Sequence, residues 1–207
     1  SLASSSGIDF YVYQPTVNYF INVPLFGLQL PDKVKQILWL DFNKDNRKDL
    51  IVSSEEGVNI YYNRGSLHFH ELTDSLKFSV FNRTSFGIAA ADVNNDGWLD
   101  LYITEKELAG DVSNHLMLNQ DGVSFVEASS LYNVSDSNKK PYVPGFFDFD
   151  NDHYPDLYIA QDRMAVNSVY KNVKGEFFED IGMSSQANET MDGMSISLID
   201  LNCDGFQ

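Results

Sequence analysis

Short apolar runs separated by turn-forming residues recur along the chain in a constant order. Each unit begins with an apolar or small-residue run, followed by an acidic loop, a β-type run, a run that ends in Asn, and a run rich in Phe. Around the loop that starts at Asp92, these runs are 85–91, 101–104, 114–119 and 123–128. Short runs bounded by Gly, Asn and Asp predict strands joined by tight turns. Each unit therefore predicts a four-stranded antiparallel sheet.

The acidic loop sets the length of the repeat. It begins at Asp41, Asp92, Asp148 and Asp200, which gives a period of 51 to 56 residues. This period is typical of one β-propeller blade, and no window of ten or more residues has the periodicity of a helix. We therefore predict an all-β fold, a β-propeller of four-stranded antiparallel blades.

Unit boundaries follow from the same runs. We predict a single propeller region over residues 1–207, with blades at 33–80, 84–134 and 142–185 and partial blades at 8–30 and 193–207. The N-terminal partial blade is predicted because residues 10–23 are similar to residues 60–73. Two explanations for the partial blades stay open. The chain is a fragment of a longer protein, or it forms a small ring in which the N-terminal hairpin completes the blade begun at Gly193.

The spacing of oxygen-bearing side chains in the loops predicts calcium sites. Calcium takes six to eight oxygen ligands, and a short loop supplies them when alternate side chains point inward. Loop two offers the side chains of Asp92, Asn94, Asp96 and Asp100 and the carbonyl of Trp98. The other loops offer Asp41, Asn43, Asp45, the Arg47 carbonyl and Asp49; Asp148, Asp150, Asp152, the Tyr154 carbonyl and Asp156; and Asp200, Asn202 and Asp204. We expect three complete Ca²⁺ sites and a fourth truncated at the C-terminus.

The sixth loop position requires a residue that tolerates a sharp turn. Gly97 suits this position best, because glycine adopts positive φ without strain. Asn46 is the next best choice, and His153 is an imperfect substitute. The prediction is therefore strongest for loop two.

Two alternatives to calcium sites in a β-hairpin can be weighed. An EF-hand requires a bidentate Glu at loop position twelve and flanking helices. That position is Val52, Ile103 or Ile159, each within a β-type run, so an EF-hand is excluded. Acidic turns without metal are the second alternative, since Asp and Asn favour turns. Four repeats of closely spaced carboxylates, which repel one another without a cation, favour the metal.

Charge and composition restrict the partners. The net charge of −16 argues against binding nucleic acid or an anionic membrane through a basic face. Twelve of the 30 acidic side chains lie in the four loops, and four Ca²⁺ ions would change the net charge to −8. No apolar run is long enough to span a bilayer. The single cysteine, Cys203, excludes an internal disulfide framework.

No catalytic constellation is visible. The sequence has no nucleophile elbow, phosphate-binding glycine loop or zincin motif. Its carboxylates are largely committed to the loops, so no acid and base pair for glycoside chemistry can be identified. We predict that the chain is not an enzyme.

Several stretches resemble a known repeat family. SFGIAAADVNNDGWLDLYI (85–103) resembles the FG-GAP/VCBS repeat of integrin α-chain propellers and of many secreted bacterial proteins. Residues 118–134, 171–183 and 191–205 resemble the cartilage-acidic-protein-like, ASPIC/UnbV-type branch. The resemblance covers residues 10–207. It implies a β-propeller with calcium in the loop between the first two strands of a blade, and an extracellular, cell-surface or periplasmic location.

These observations predict a calcium-binding, secreted propeller scaffold for recognition or adhesion, with an extracellular protein or glycan as partner. Two alternatives stay open. The chain is a non-catalytic appendage or part of a secreted hydrolase or lyase, or it is a lectin-like glycan binder.

Overall fold

The computed structural model describes residues 2–4, 7–73, 75–76, 84–105, 113–137, 139–190, 192–197 and 199–200. Two short hairpins come first. Strands β1 (Leu2–Ser4) and β2 (Gly7–Asp9) form one, which the apolar pattern did not predict, and β3 (Tyr11–Gln14) and β4 (Tyr19–Asn22) form the other. The second hairpin lies where the sequence predicted the last two strands of a partial blade.

Three sheets of four antiparallel strands follow. The first contains β5 (Val34–Leu40), β6 (Asp49–Ser54), β7 (Gly57–Gly65) and β8 (His68–Glu71). The second contains β9 (Ser85–Ala91), β10 (Asp100–Glu105), β11 (His115–Gln120) and β12 (Ser124–Glu127). The third contains β13 (Pro141–Phe147), β14 (Asp156–Gln161), β15 (Ser168–Val173) and β16 (Phe177–Asp180). Neighbouring strands are consecutive in the chain, so the four predicted runs of each repeat are the four strands of one sheet.

One helix is present in the described chain, α1 (Gly182–Ser185), which has four residues. None of the described residues belongs to a helix with the length and hydropathy needed to cross a membrane.

The second strand of each sheet is buried on both faces. Successive residues of a strand point to opposite faces, so each of these strands can pack against two different neighbours. In β6, Leu50 and Val52 pack in a cluster with Phe10, Leu25, Leu28 and Leu30 of the N-terminal segment. Ile51, between them, packs with Leu101 and Ile103 of β10. A nearly continuous apolar run is the sequence of a strand that is covered on both sides.

The same alternation joins the second sheet to the third. Tyr102 of β10 faces away from Leu101 and Ile103 and packs with Leu157 and Ile159 of β14. The first strands are neighbours as well, β5 beside β9 and β9 beside β13. Each sheet thus packs face to face on the next sheet, and the first strands of neighbouring sheets lie side by side. This arrangement confirms the predicted propeller of four-stranded antiparallel blades.

The fourth unit differs from the other three in its first run. Residues 193–197 and 199 are described and are not in a strand, although this run occupies the place of β5, β9 and β13 in the repeat. The N–H of Gly193 donates to the carbonyl of Gln161 at 2.8 Å, so the run begins beside β14. A strand requires a partner for its hydrogen-bond ladder, and none is described for the rest of this run.

Candidate metal centres

The first aspartate of each loop holds the turn through its two oxygens. Asp92 Oδ1 accepts from the N–H of Asp96 at 3.0 Å, and Asp92 Oδ2 accepts from the N–H of Gly97 at 2.7 Å. Asp41 and Asp148 accept from the same two loop positions, at 2.8 to 3.1 Å. The three predicted loops therefore share one fold, in which the first carboxylate bonds the backbone of positions five and six.

The sixth position adopts a left-handed backbone in all three loops. Its φ is 88° at Gly97, 65° at Asn46 and 72° at His153. Asn and His tolerate this region better than most residues other than glycine. The two departures from glycine therefore leave the loop conformation unchanged.

The last aspartate of each loop lies in the protein interior. Asp49, Asp100 and Asp156 are the first residues of β6, β10 and β14, and their exposed fraction is 0%. Each accepts from the backbone N–H of an Asn in the third strand, at 2.7 to 2.8 Å. Burial raises the pKa of Asp100 to about 7 and the pKa of Asp49 and Asp156 to about 6. A carboxylate without a cation is thus costly to keep charged here.

Two loop oxygens that are shielded from solvent have no hydrogen-bond partner among the described residues. They are Oδ2 of Asp49 and Oδ1 of Asp150. The N–H of Phe42 lies near the Asp49 carboxylate and partly offsets the rise in its pKa, but it makes no hydrogen bond of ordinary geometry to Oδ2. The corresponding Oδ2 of Asp100 and Asp156 accept from the N–H of Val93 and Phe149, at 3.0 and 3.1 Å. Buried polar atoms are almost always paired. A cation in loop one and another in loop three would satisfy these two oxygens, so the residues present fit calcium.

Loop three brings its carboxylates together. Oxygens of Asp148, Asp150 and Asp156 lie within 4.8 Å of one another. Ligands at calcium–oxygen distances of about 2.3–2.6 Å are separated by up to about 5 Å, so these three oxygens fit around one ion. The fourth carboxylate of this loop, Asp152, accepts from the N–H of Tyr154 at 3.0 Å and lies outside this group.

Loops one and two have an amide at the third position, and there it bonds within the loop. Asn94 Nδ2 donates to Asp96 Oδ2 at 2.8 Å, and Asn94 Oδ1 accepts from the N–H of Asp96 at 3.1 Å. Asn43 makes the same two contacts with Asp45, at 3.4 and 3.2 Å. The carbonyls of Arg47, Trp98 and Tyr154 stay predicted ligands.

Basic side chains bond an acidic residue in loops one and three, which the sequence pattern did not predict, and Lys44 Nζ lies 4.0 Å from the centre of the Trp98 ring in loop two. The Lys171 ammonium donates to Asp150 Oδ2, and this hydrogen bond raises the pKa of Lys171. The Arg47 guanidinium donates to Asp45 Oδ2 and to the hydroxyl of Tyr62. The signal for Lys171 was its place in the third strand, directly before the Asn that bonds Asp156.

Family comparison agrees with the position of the loops. A model of the FG-GAP-like repeat matches residues 41–103 and 148–207, which is more than half of the chain, and each match begins at the first Asp of a loop. The chain belongs to the FG-GAP-like repeat family. The three acidic loops are thus those of FG-GAP-like repeats. Membership of the ASPIC/UnbV-type branch stays a prediction.

This FG-GAP-like repeat chain is also similar to solved structures. One is a lectin of Agrocybe aegerita that specifically recognises non-reducing terminal N-acetylglucosamine, with 19% sequence identity and a TM-score of 0.52. The similarity covers 82% of this chain and 45% of the lectin, so the chain spans less than half of the lectin's length. Similarity at this identity shows the fold. A comparison with curated proteins finds no match.

The fourth FG-GAP-like loop lies largely outside the described residues. Asp200 is half-buried, whereas Asn202 and Asp204 belong to the part of the chain that the structure does not describe. Calcium ligation by these three residues therefore stays a prediction.

Proposed function

We propose that this chain is a calcium-binding, non-enzymatic propeller scaffold that recognises a protein or a glycan in an extracellular, cell-surface or periplasmic location. The observation that carries the proposal is the pair of unpartnered oxygens, Asp49 Oδ2 and Asp150 Oδ1, in two loops of the same fold. Each predicted loop joins the first two strands of a blade. A cation there would hold that hairpin closed and remove the repulsion between its carboxylates.

The first and last carboxylates of a loop have different roles in the proposed binding of calcium. The first carboxylate, exemplified by Asp148, fixes the turn through backbone N–H groups and keeps its oxygens close to those of Asp150 and Asp156. The last carboxylate, Asp156, is oriented by the N–H groups of Asn172 and Phe149. Bound calcium supplies the positive charge that such a site needs. These bonds favour the turned shape of the loop that the ion would bind.

Removal of calcium tests this proposal. A ligand that binds only the folded state stabilises it by about 2.7 kcal/mol at a concentration 100 times its Kd. For a chain of this size, we expect EGTA to lower the melting temperature of the calcium-loaded protein by about 5 °C or more. Addition of excess calcium should restore it. An unchanged melting temperature after verified removal of bound calcium would contradict the proposal.

Asp96→Ala tests one loop by itself. Asp96 is exposed and contacts only its own loop in the described hydrogen bonds. The variant should bind about one calcium fewer per chain than the original protein. Isothermal titration calorimetry measures this difference, and unchanged stoichiometry would remove loop two from the set of sites.

The described cavities support a non-enzymatic role. A groove of about 440 Å³ beside the third blade is lined by Phe147, Phe149, Tyr158, Ile181 and Ile196, together with small residues. None of its lining residues is acidic, basic or His. A pocket of about 20 Å³ touches Glu105 and Asp162, but its volume is that of about one water molecule. A third cavity, of about 250 Å³, has Asp9 as its one acidic lining residue. None of these three cavities has both the room and the converging carboxylates that hydrolysis of a glycoside requires.

Glycan binding is a second candidate, favoured by the similarity to the Agrocybe aegerita lectin. A glycan array that includes non-reducing terminal N-acetylglucosamine, probed in calcium and again in EGTA, tests it. Selective binding to a set of related glycans would support a lectin. No binding in calcium to any glycan on the array would leave a protein as the partner class.

A further inference from the structure

An asparagine ends the third-strand run of each blade, and all three make the same contacts in their own blade. Asn63, Asn119 and Asn172 donate their backbone N–H to the last aspartate of the loop. Their Oδ1 accepts from the N–H of a turn glycine, Gly65, Gly122 or Gly175, at 2.8 to 2.9 Å. Each asparagine therefore connects its own metal loop with the turn between the third and fourth strands.

The side-chain amide of two of these asparagines also reaches the preceding blade. Asn119 Nδ2 donates to the carbonyl of Leu99 at 3.2 Å, in its own loop, and to the carbonyl of Phe42 at 2.9 Å, in loop one. Phe42 lies between the predicted ligands Asp41 and Asn43. An amide nitrogen has two hydrogens, and both are used. Asn119 is buried, so neither bond has water as an easy substitute.

Asn172 repeats this arrangement one blade further on. Its Nδ2 donates to the carbonyl of Pro155 at 3.1 Å, in loop three, and to the carbonyl of Val93 at 2.8 Å, in loop two. Asn63 differs, because its Nδ2 donates to the carbonyl of Lys48 in its own loop and it is half exposed. Within the described residues, Asn63 thus contacts one loop, whereas Asn119 and Asn172 each contact two.

Two of the turn glycines lie close to the same neighbouring loops. A Cβ added to Gly122 would lie 2.9 Å from Cα of Asn43, and one added to Gly175 would lie 2.9 Å from Cα of Asn94. Gly65 follows its asparagine by two residues and not three, and a Cβ added there would meet only Cδ of Arg47, at 3.7 Å. The turn that Asn119 holds is therefore in contact with a predicted ligand residue of the preceding loop.

We propose that Asn119 and Asn172 are positioning residues that each serve two calcium sites, their own and that of the preceding blade. The inference rests on the calcium binding proposed above. An ion at either loop would order the shared asparagine and its turn, so that the second ion binds a loop already held in place. This coupling is reciprocal, because each site must affect the other by the same factor. Neighbouring sites should therefore fill cooperatively.

Calcium titrations of variants that lack one site distinguish an asparagine that supports two sites from one that supports only the site of its own blade. With Asp96→Ala disabling loop two, the direct contact of Asn119 with a remaining site is its bond to Phe42 in loop one. We expect Asn119→Ala to weaken one remaining site by about tenfold, the lower end of the loss seen when an outer-shell partner is removed. The matched control is Asn63→Ala with loop one disabled by Asp45→Ala, and we expect no change at the remaining sites.

The outcomes have distinct meanings. A protein that binds no calcium before any substitution contradicts the proposed function itself. Unchanged remaining sites in the Asp96→Ala, Asn119→Ala protein, or equal weakening of loops one and three, contradict the shared role of Asn119. If that protein does not fold, Gly122→Ala in the Asp96→Ala background replaces it, with Gly65→Ala in the Asp45→Ala background as its control. Weaker binding at one remaining site for Gly122→Ala and at none for Gly65→Ala supports the inference, and the same result from both contradicts it.

Discussion

Loops two and three have the same backbone and different charges. In both, the first aspartate bonds positions five and six, and the last aspartate is buried against two backbone N–H groups. Loop two has three carboxylates and an amide, and no basic side chain contacts them in the described salt bridges. Loop three has four carboxylates, and Lys171 bonds one of them, Asp150. In the second blade, Leu118 occupies the position equivalent to Lys171, directly before Asn119.

This difference shows that the shape and the charge of a loop are determined separately. The turn of the loop follows from residues within the nine-residue loop, since the bonds of its first aspartate are local. The charge balance of loop three also depends on a residue two strands away. Two loops with the same spacing of ligands can therefore differ in cation affinity.

The largest expected effect tests what the loops share. Asp100→Ala leaves the N–H groups of Val93 and Asn119 buried without a partner, which costs about 1–3 kcal/mol for each. We expect the free energy of unfolding in calcium to fall by about 2–6 kcal/mol. Asp156→Ala should lower it by a similar amount, because Asp156 accepts from two equivalent N–H groups. Urea unfolding measures both, and a large difference between them would show that the two loops are not built alike.

A pH dependence of the metal-free protein tests the burial of the last aspartate in both loops. Burial raises the pKa of Asp100 to about 7 and of Asp156 to about 6, above the ordinary value of about 3.9. The folded state therefore holds these protons more tightly than the unfolded state. The stability that they contribute is greatest below about pH 4 and is lost as pH rises to about 6 for Asp156 and about 7 for Asp100.

Asn variants separate these two contributions. Asp100→Asn and Asp156→Asn should each remove part of the loss in stability between about pH 4 and 7, because burial raises the pKa of both carboxyls. Urea unfolding of metal-free protein across this range measures the loss. The same pH profile for both variants and for the original protein would contradict this assignment.

The smallest expected effect tests the role of Lys171. Replacement by Met removes the positive charge beside Asp150, and a partly exposed pair of charges contributes up to about 1 kcal/mol. We therefore expect Lys171→Met to raise the calcium affinity of loop three by up to about fivefold. Leu118→Met at the equivalent place in loop two is the matched control and should leave affinity unchanged. A lower affinity in Lys171→Met would show that the lysine supports the site.

The strands and loops were predictable because their signals are local and repeated. The four short runs within each repeat of 51 to 56 residues predicted the four strands of a blade. The spacing of oxygen-bearing residues from Asp92 to Asp100 predicted the loop. Asn46 and His153 are less suited than glycine to the sixth loop position on local grounds, yet both adopt the left-handed backbone. The run 193–199 fits the repeat but is not in a described strand, because a strand depends on a neighbour that local sequence does not specify.

The sequence alone determined the all-β class, the repeat and the oxygen-bearing residues of each loop, because these depend on spacing within a few residues. Only the tertiary structure showed that Asp49, Asp100 and Asp156 are buried, that Lys171 bonds Asp150, and that Asn119 and Asn172 each contact two loops. Asn119 is 77 residues from Phe42, and no local pattern connects them. Packing of one blade on the next brings them together, since the apolar second strands must be covered on both faces.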